Sequence, residues 1–191
     1  MDKKRCSWVG EDPLMVAYHD TEWGVPIHDD RKLFEFIVLD AMQAGLNWRI
    51  VLQKRHNFER AMDGFNPRKI AKYDDRDLVR LLETTGIIRN RQKLAAAITN
   101  ARAVLAVQQE FGSLDAYLWQ FVDNKPITIS WKKADQIPAT SPESEAMSRD
   151  LIKRGFKFVG PTICYAFMQA AGLVNDHLAS CFRYEEVANS R

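Results

Sequence analysis

Apolar residues recur at intervals of three and four along most of the chain, the spacing that gives a helix one buried face. Leu33, Phe34, Ile37 and Met42 follow Asp29 and Asp30, either of which can cap, and predict a helix that Gly45 ends or turns. Asn47 caps a second helix with Trp48, Val51, Leu52 and Phe58 inward, closing near Gly64. Asn66 and Pro67 restart a short helix. Asp74 precedes Leu78, Leu81 and Leu82, which Gly86 stops, and Leu94, Ile98, Ala101 and Leu105 mark a longer helix. Ser113 caps a further turn or two through Trp119. Residues 123 to 139 hold two prolines and alternate poorly, so they predict a connecting loop with a brief extended piece at Ile127 to Ile129.

The pattern is sharper downstream. Thr140 and Glu143 suit a capping box, Pro142 fits the first turn, and the helix runs to about Arg154. After Gly155-Phe156-Lys157-Phe158-Val159-Gly160, Pro161 opens an apolar helix through Ile163, Tyr165, Phe167 and Met168 that Gly172 terminates. The chain therefore predicts an all-α fold, read as a single domain over residues 1–191 although this length also allows two small lobes, with a helix-hairpin-helix element at about 143–172. Such a hairpin can aim backbone N–H groups and a helix's positive end at a phosphate, with Lys153, Arg154 and Lys157 adding charge. An ordinary helix connection with solvated lysines is the competing reading, and Arg89, Arg91 and Lys93 read as a solvated face.

Composition narrows the class without naming a function. A chain of 191 residues, 46% hydrophobic and 27% charged, can bury a real core, so disorder is not expected. The net charge of +2 is too mild to argue for nucleic acid by itself. Met1-Asp2-Lys3-Lys4-Arg5 leads into no apolar stretch and no run reaches the length of a membrane span, so a soluble cytoplasmic protein is expected. Three cysteines without a Cys-x-x-Cys pair argue against a disulfide framework, and Cys164 reads as core.

Two groups of residues carry candidate chemistry. His177 and Cys181 lie four apart, on the same face if they share one helical turn, and Cys6 with His19 would complete a Cys2His2 zinc tetrahedron joining the two ends of the chain. That spacing matches no short zinc finger, so unrelated histidines and buried cysteines compete with it. Trp8, Tyr18, Trp23 and Trp48 supply flat rings that can sandwich an extruded base or attract a cationic one, although such rings more often pack in cores. Asp40 ends an apolar helical run and needs a partner or a function if buried; otherwise it is a surface acid.

Taken together, Cys6-Ser7-Trp8-Val9, Ala17-Tyr18-His19-Asp20, Glu22-Trp23-Gly24-Val25-Pro26 and Gln43-Ala44-Gly45-Leu46 with Trp48 resemble the 3-methyladenine DNA glycosylase I family. The resemblance extends through Gly86-Ile87-Ile88-Arg89, Asn100-Ala101-Arg102, the run Lys153 to Gly160, Thr162-Ile163-Cys164-Tyr165, Phe167-Met168-Gln169-Ala170 and Gly172 to His177, nearly the whole chain. It implies an all-α helix-hairpin-helix glycosylase with structural zinc on Cys6, His19, His177 and Cys181, closed by four protein ligands. It implies hydrolysis of the N-glycosidic bond of 3-methyladenine in alkylated double-stranded DNA, by a monomer needing no obligate protein partner and no membrane. It also places Tyr18, Trp48 and the catalytic Asp40 against the base, with Trp8 and Trp23 as further walls. Gly45 and Leu46 fall on a turn that enters the gap left by the flipped nucleotide, while Lys157, Gly160 and Thr162 belong to the DNA-gripping hairpin.

Departures from the family pattern bear on mechanism. Asp40 stands where the family typically has glutamate, Asn47 where it has serine, and Phe158 where many such hairpins have glycine. Asn175 occupies the position at which wider relatives carry a catalytic acid, and Thr162 that of a Schiff-base lysine, so base removal without strand cleavage is expected. The shorter acid also leaves open a second reading, a damage-binding protein of the same fold with weak or no turnover.

Overall fold

Ten helices, α1 (Pro13–Thr21), α2 (Asp30–Gln43), α3 (Trp48–Ala61), α4 (Pro67–Ile70), α5 (Asp75–Glu83), α6 (Arg91–Phe111), α7 (Leu114–Trp119), α8 (Pro142–Lys153), α9 (Pro161–Ala170) and α10 (Phe182–Ala188), carry the chain in the computed structural model, which describes residues 3–189. Met1 and Asp2, part of the charged N-terminal run, lie outside the described residues.

Helix α2 is the axis of the fold. Its N-cap Asp29 accepts from the Lys32 amide, and from Leu33 onward Phe34, Phe36, Ile37, Val38, Leu39, Ala41 and Met42 are buried on every side. Helices α3, α6, α7 and α9 pack around it. Asn47 caps α3 by accepting from the Ile50 amide, and Asn66, Asp74 and Ser113 cap α4, α5 and α7 as the sequence predicts, while α6 is capped by Asn90, a cap not predicted from the sequence. Arg55 of α3 binds Glu35 of α2 at 2.6 Å and Glu22 at 2.8 Å, fastening the segment after α1 to both helices.

Several expectations are corrected. The cap of α8 is Ser141, paired reciprocally with Ser144, rather than Thr140 with Glu143; Pro142 at the first helical position sets the register one residue later. Helices α1 and α10 carry no clear sequence signal, and Asp12 before Pro13 starts α1 by accepting from the Leu14 and Met15 amides. The extended piece is a strand, β1 (Ile127–Thr128), paired in parallel with β2 (Val174–Asn175), so a two-residue ladder joins the 123–139 loop to the segment before His177. Lys93 is not part of a solvated face but is buried, and Arg154 is bound to Asp150 and Glu110 at 2.7 Å, which neutralises its charge locally.

The chain after Trp23 crosses the end of α9 as a strap. Gly24 N–H donates to the Gln169 carbonyl and Ile27 N–H to that of Ala171, both at 3.0 Å. Gly172, at φ +74°, lies directly under it, where a Cβ would come within 2.3 Å of the Val25 carbonyl carbon. We therefore expect Gly172→Ala to cost about 3 kcal/mol or more, from strain and displaced backbone together, measured by urea unfolding. A loss within experimental error would show that the strap moves freely.

Candidate active site and metal centre

A cavity of about 370 Å³ opens between α1, α2, α3 and α9. Trp8, Tyr18, Trp23, Asp40 and Trp48 all line it, so the structure brings together the five residues expected to meet a base. Tyr18 and Trp48 approach at 5.4 Å between ring centroids, and Trp48 stacks in turn on Phe36 at 6.4 Å. Trp48 Nε1 is buried and makes no hydrogen bond to protein, a donor left for something that enters.

Of the three acids on α2, Asp30, Glu35 and Asp40, only Asp40 is fully buried. The charged positions of α2, Arg31, Lys32 and Glu35, lie in its first half, whereas Ile37, Val38, Leu39, Ala41 and Met42 around Asp40 are all buried; Asp40 is 2% exposed and its Oδ2 has no hydrogen-bond partner. Behind it Ile37, Leu118, Val159, Ile163, Cys164 and Phe167 enclose only about 10 Å³, the lower bound for one water. This desolvation pushes the carboxyl well above the usual carboxylate range. Tyr18 is also held neutral, its phenol raised first by burial and then by Asp40.

Sequence reasoning missed the polar neighbours of this group. Gln43 and Gln169 line the cavity, as do Met15 of α1 and Ala134 and Ile137 of the 123–139 loop. Gln169 donates its amide N–H to buried Asp176 at 2.8 Å, and Asp176 also accepts from Tyr165 at 2.7 Å and from the Trp131 indole at 2.7 Å. A lone amide within the apolar run of α9 was the available signal for Gln169. Nothing in the sequence distinguishes Met15 or Ala134.

Cys6, His19, His177 and Cys181 converge at the far side of Trp8 and Trp23, their ligand atoms all within 4.8 Å of one another. Cys181 Sγ lies 3.4 Å from His19 Nε2 and 3.6 Å from His177 Nδ1, and Cys6 Sγ lies 3.7 Å from His177 Nδ1. Zinc–sulfur and zinc–nitrogen bonds of about 2.3 and 2.05 Å at a tetrahedral angle give an S···N edge of about 3.6 Å, so the donor set fits a tetrahedral cation. The outer nitrogens are oriented as metal-binding imidazoles require: His19 Nδ1 meets Asp20 at 2.7 Å and His177 Nε2 the Trp23 carbonyl at 2.9 Å. Hydrogen bonds with Cys6, then His177 and His19, draw the Cys181 thiol well below its ordinary range, which favours the thiolate form that a metal requires. One expectation fails here. His177 and Cys181 do not share a helical turn; residues 177–181 form a tight turn closed by Cys181 N–H to the Leu178 carbonyl at 2.7 Å, with Cys181 as the N-cap of α10.

The hairpin lies at the other end of α9. Lys157 and Thr162 are exposed, and Gly160 caps α9 without any side-chain hydrogen bond, leaving its first N–H groups open. Asn100 of α6 clamps the hairpin by accepting from Lys157 N–H at 2.7 Å and donating to its carbonyl at 3.0 Å. That clamp, with Ser148 donating to the Val159 carbonyl at 2.7 Å, holds Phe158 at φ +55° where glycine would be relaxed. Gly45, at φ +76°, and Leu46, 40% exposed, form a projecting turn at the end of α2.

Comparison with known proteins gives concordant matches. The family model described as methyladenine glycosylase matches residues 8–184. DNA-3-methyladenine glycosylase 1 of Escherichia coli (strain K12) is 49% identical over 181 residues, which cover 95% of this chain and 97% of that protein. A crystal structure of 3-methyladenine DNA glycosylase I aligns with a TM-score of 0.92 at 53% identity, covering 94% of this chain and 98% of its own. A Tyr-to-Phe variant of 3-methyladenine DNA glycosylase I in complex with 3-methyladenine also aligns with a TM-score of 0.92, at 33% identity, covering 94% and 97%.

The buried acid makes a pH prediction. Its folded pKa is raised above the unfolded one, so its contribution to stability is full below about pH 4 and is lost as pH rises toward the folded value. Asp40→Asn cannot ionise. We expect the variant to gain on the parent by about 1.4 kcal/mol per pH unit as pH climbs from about 4, until the folded acid itself ionises. Urea titrations of both proteins across this range test it, and a pH-independent difference would contradict the burial argument.

Proposed function

The chain belongs to the methyladenine glycosylase family, and from that premise we infer how this cavity removes an alkylated base. The activity is hydrolysis of the N-glycosidic bond of 3-methyladenine in alkylated DNA, the opening step of base excision repair. The observation that carries our reading of the site is Asp40, a desolvated carboxyl with an unpartnered oxygen in an aromatic-walled cavity.

Methylation makes the adenine ring a cation. A cation entering the cavity favours the ionised form of Asp40, so the two charges compensate each other in a place where either alone is costly. A neutral base brings no such compensation and leaves a buried acid protonated, which is the basis of selection. Tyr18 and Trp48 flank the ring, with Trp8 and Trp23 as walls, and Trp48 Nε1 offers a hydrogen bond. Departure neutralises the base while positive character grows on the sugar, so a strong general acid is not needed and ionised Asp40 stabilises the charge that develops. Thr162 in place of an amine supports base removal without strand cleavage.

Extrusion is assigned to the surface. Lys157, Gly160 and Thr162 would hold a phosphate at the open start of α9, and the Gly45–Leu46 turn would fill the space vacated by the base. The whole described chain serves as one domain in this reading. We propose that it acts as a monomer in the cytoplasm without a protein partner. Among the described residues no helix is long and apolar enough to cross a membrane.

Cys6, His19, His177 and Cys181 would hold zinc. Bound there, the ion supplies a cross-link between the two ends of the chain, with all four tetrahedral positions taken by protein. Its neighbours Trp8 and Trp23 are thereby fixed on the cavity wall.

Single-turnover release of 3-methyladenine from methylated duplex tests the catalytic reading. We expect Asp40→Asn to slow release by about a hundredfold, with duplex affinity changed far less. A parent that binds methylated DNA tightly yet frees no base, and is revived by Asp40→Glu, would instead establish a damage-binding protein. For the metal, elemental analysis should find one zinc per chain, and Cys181→Ala and His19→Ala should each lower both zinc content and melting temperature. Full zinc content in both variants would refute the ligand assignment.

A further inference from the structure

Lys93 is a buried cation without a carboxylate. It is 6% exposed, and its ammonium donates to two main-chain carbonyls, that of Met42 at 2.9 Å and that of Ala44. Burying an ammonium costs several kcal/mol unless its protons are satisfied, so a position of this kind is retained for what it holds. What it holds is the end of α2. The last carbonyls of a helix have no intrahelical donor and carry the negative end of its dipole, and Lys93 answers both.

The geometry of the chain beyond those carbonyls follows from this grip. Ala44 leaves the helix at φ −46°, ψ 116°, Gly45 turns at φ +76°, and Leu46 N–H closes the bend on the Gln43 carbonyl at 2.6 Å. Leu46 is thereby presented to solvent although it is a large apolar side chain, and a Cβ at Gly45 would meet nothing within 4 Å. Lys93 itself is locked at the start of α6, where its N–H donates to the Asn90 cap at 3.1 Å. A rigid 21-residue helix thus braces a short exposed turn from behind.

We propose that Lys93 is a positioning residue for extrusion: its two hydrogen bonds to the Met42 and Ala44 carbonyls hold the Gly45–Leu46 turn in the shape that enters duplex DNA. The inference rests on the reading of Leu46 as the element that fills the vacated space. Lys93 touches neither the base cavity nor the reacting atoms. Its loss therefore affects removal of a base that must be pulled from a stack and spares removal of one already unstacked.

The test compares single-turnover release of 3-methyladenine from methylated duplex and from the same strand left single. Lys93→Met is expected to lose about tenfold on duplex with single-strand release unchanged, and Lys93→Gln, which keeps a neutral donor, to fall between. Leu46→Ala is expected to show the same duplex-selective loss, and the Lys93→Met/Leu46→Ala double variant to be no slower than the worse single one. Equal losses on both substrates, or none, would overturn the proposal and leave Lys93 a purely structural cap; so would failure of both Lys93 variants to fold. If Leu46→Ala shows no duplex-selective loss, the reading of the turn fails first. If Leu46→Ala shows it and the Lys93 variants do not, only the role of Lys93 falls.

Discussion

A carboxyl group almost wholly withdrawn from water governs this structure. The second half of helix α2 is enclosed by its neighbours, so the acid at position 40 meets the outside only through the cavity. Placing it there makes ionisation costly and keeps the group neutral until a positive charge stands beside it. In the function proposed above, selectivity then rests on the medium more than on an array of hydrogen bonds. The apolar backing of Ile37, Leu118, Val159 and Phe167 matters as much as the acid, because water behind it would remove the penalty on which discrimination rests.

The Cys/His cluster and the cavity share a wall. Trp23 stands edge-on to His177 at 4.6 Å and to Trp8 at 4.9 Å, and its carbonyl receives the outer nitrogen of His177. The strap that follows Trp23 is pinned over Gly172 at the end of α9. Ligand geometry, ring positions and the end of the cavity-lining helix are therefore one mechanical unit. Loosening the termini would loosen the pocket, even though no cluster residue lines it.

The parts legible in the sequence were those governed by local rules. Asn47 and Asp29 cap where their side chains and the following apolar spacing predict, and Pro161 starts α9. Local rules failed where geometry is set from a distance. Ser141 displaced Thr140 because Pro142 fixes the register, and His177 with Cys181 close through a turn because the β1–β2 ladder keeps the preceding segment extended. Lys93 looked like surface because the carbonyls that bury it belong to a turn some fifty positions earlier. That Cys6, His19, His177 and Cys181 come together and that Asp40 lines the cavity was legible from residue type joined to family resemblance; Gln169 and the loop residues were not, since their place depends on a fold that brings them to the rim.

The parallel ladder of Ile127 with Val174 and Thr128 with Asn175 is the smallest sheet a chain can make. Beyond it the loop is secured to the segment carrying His177 and Cys181 by the Trp131 indole on Asp176 and by Ala179 N–H on the Trp131 carbonyl, and it lends Ala134 and Ile137 to the mouth of the cavity. The edge of the cavity mouth is thus a loop stitched to α9 through Asp176, which also accepts from Tyr165 and Gln169. Substitutions in that loop would reshape the entrance while leaving Asp40, on a different element, in place.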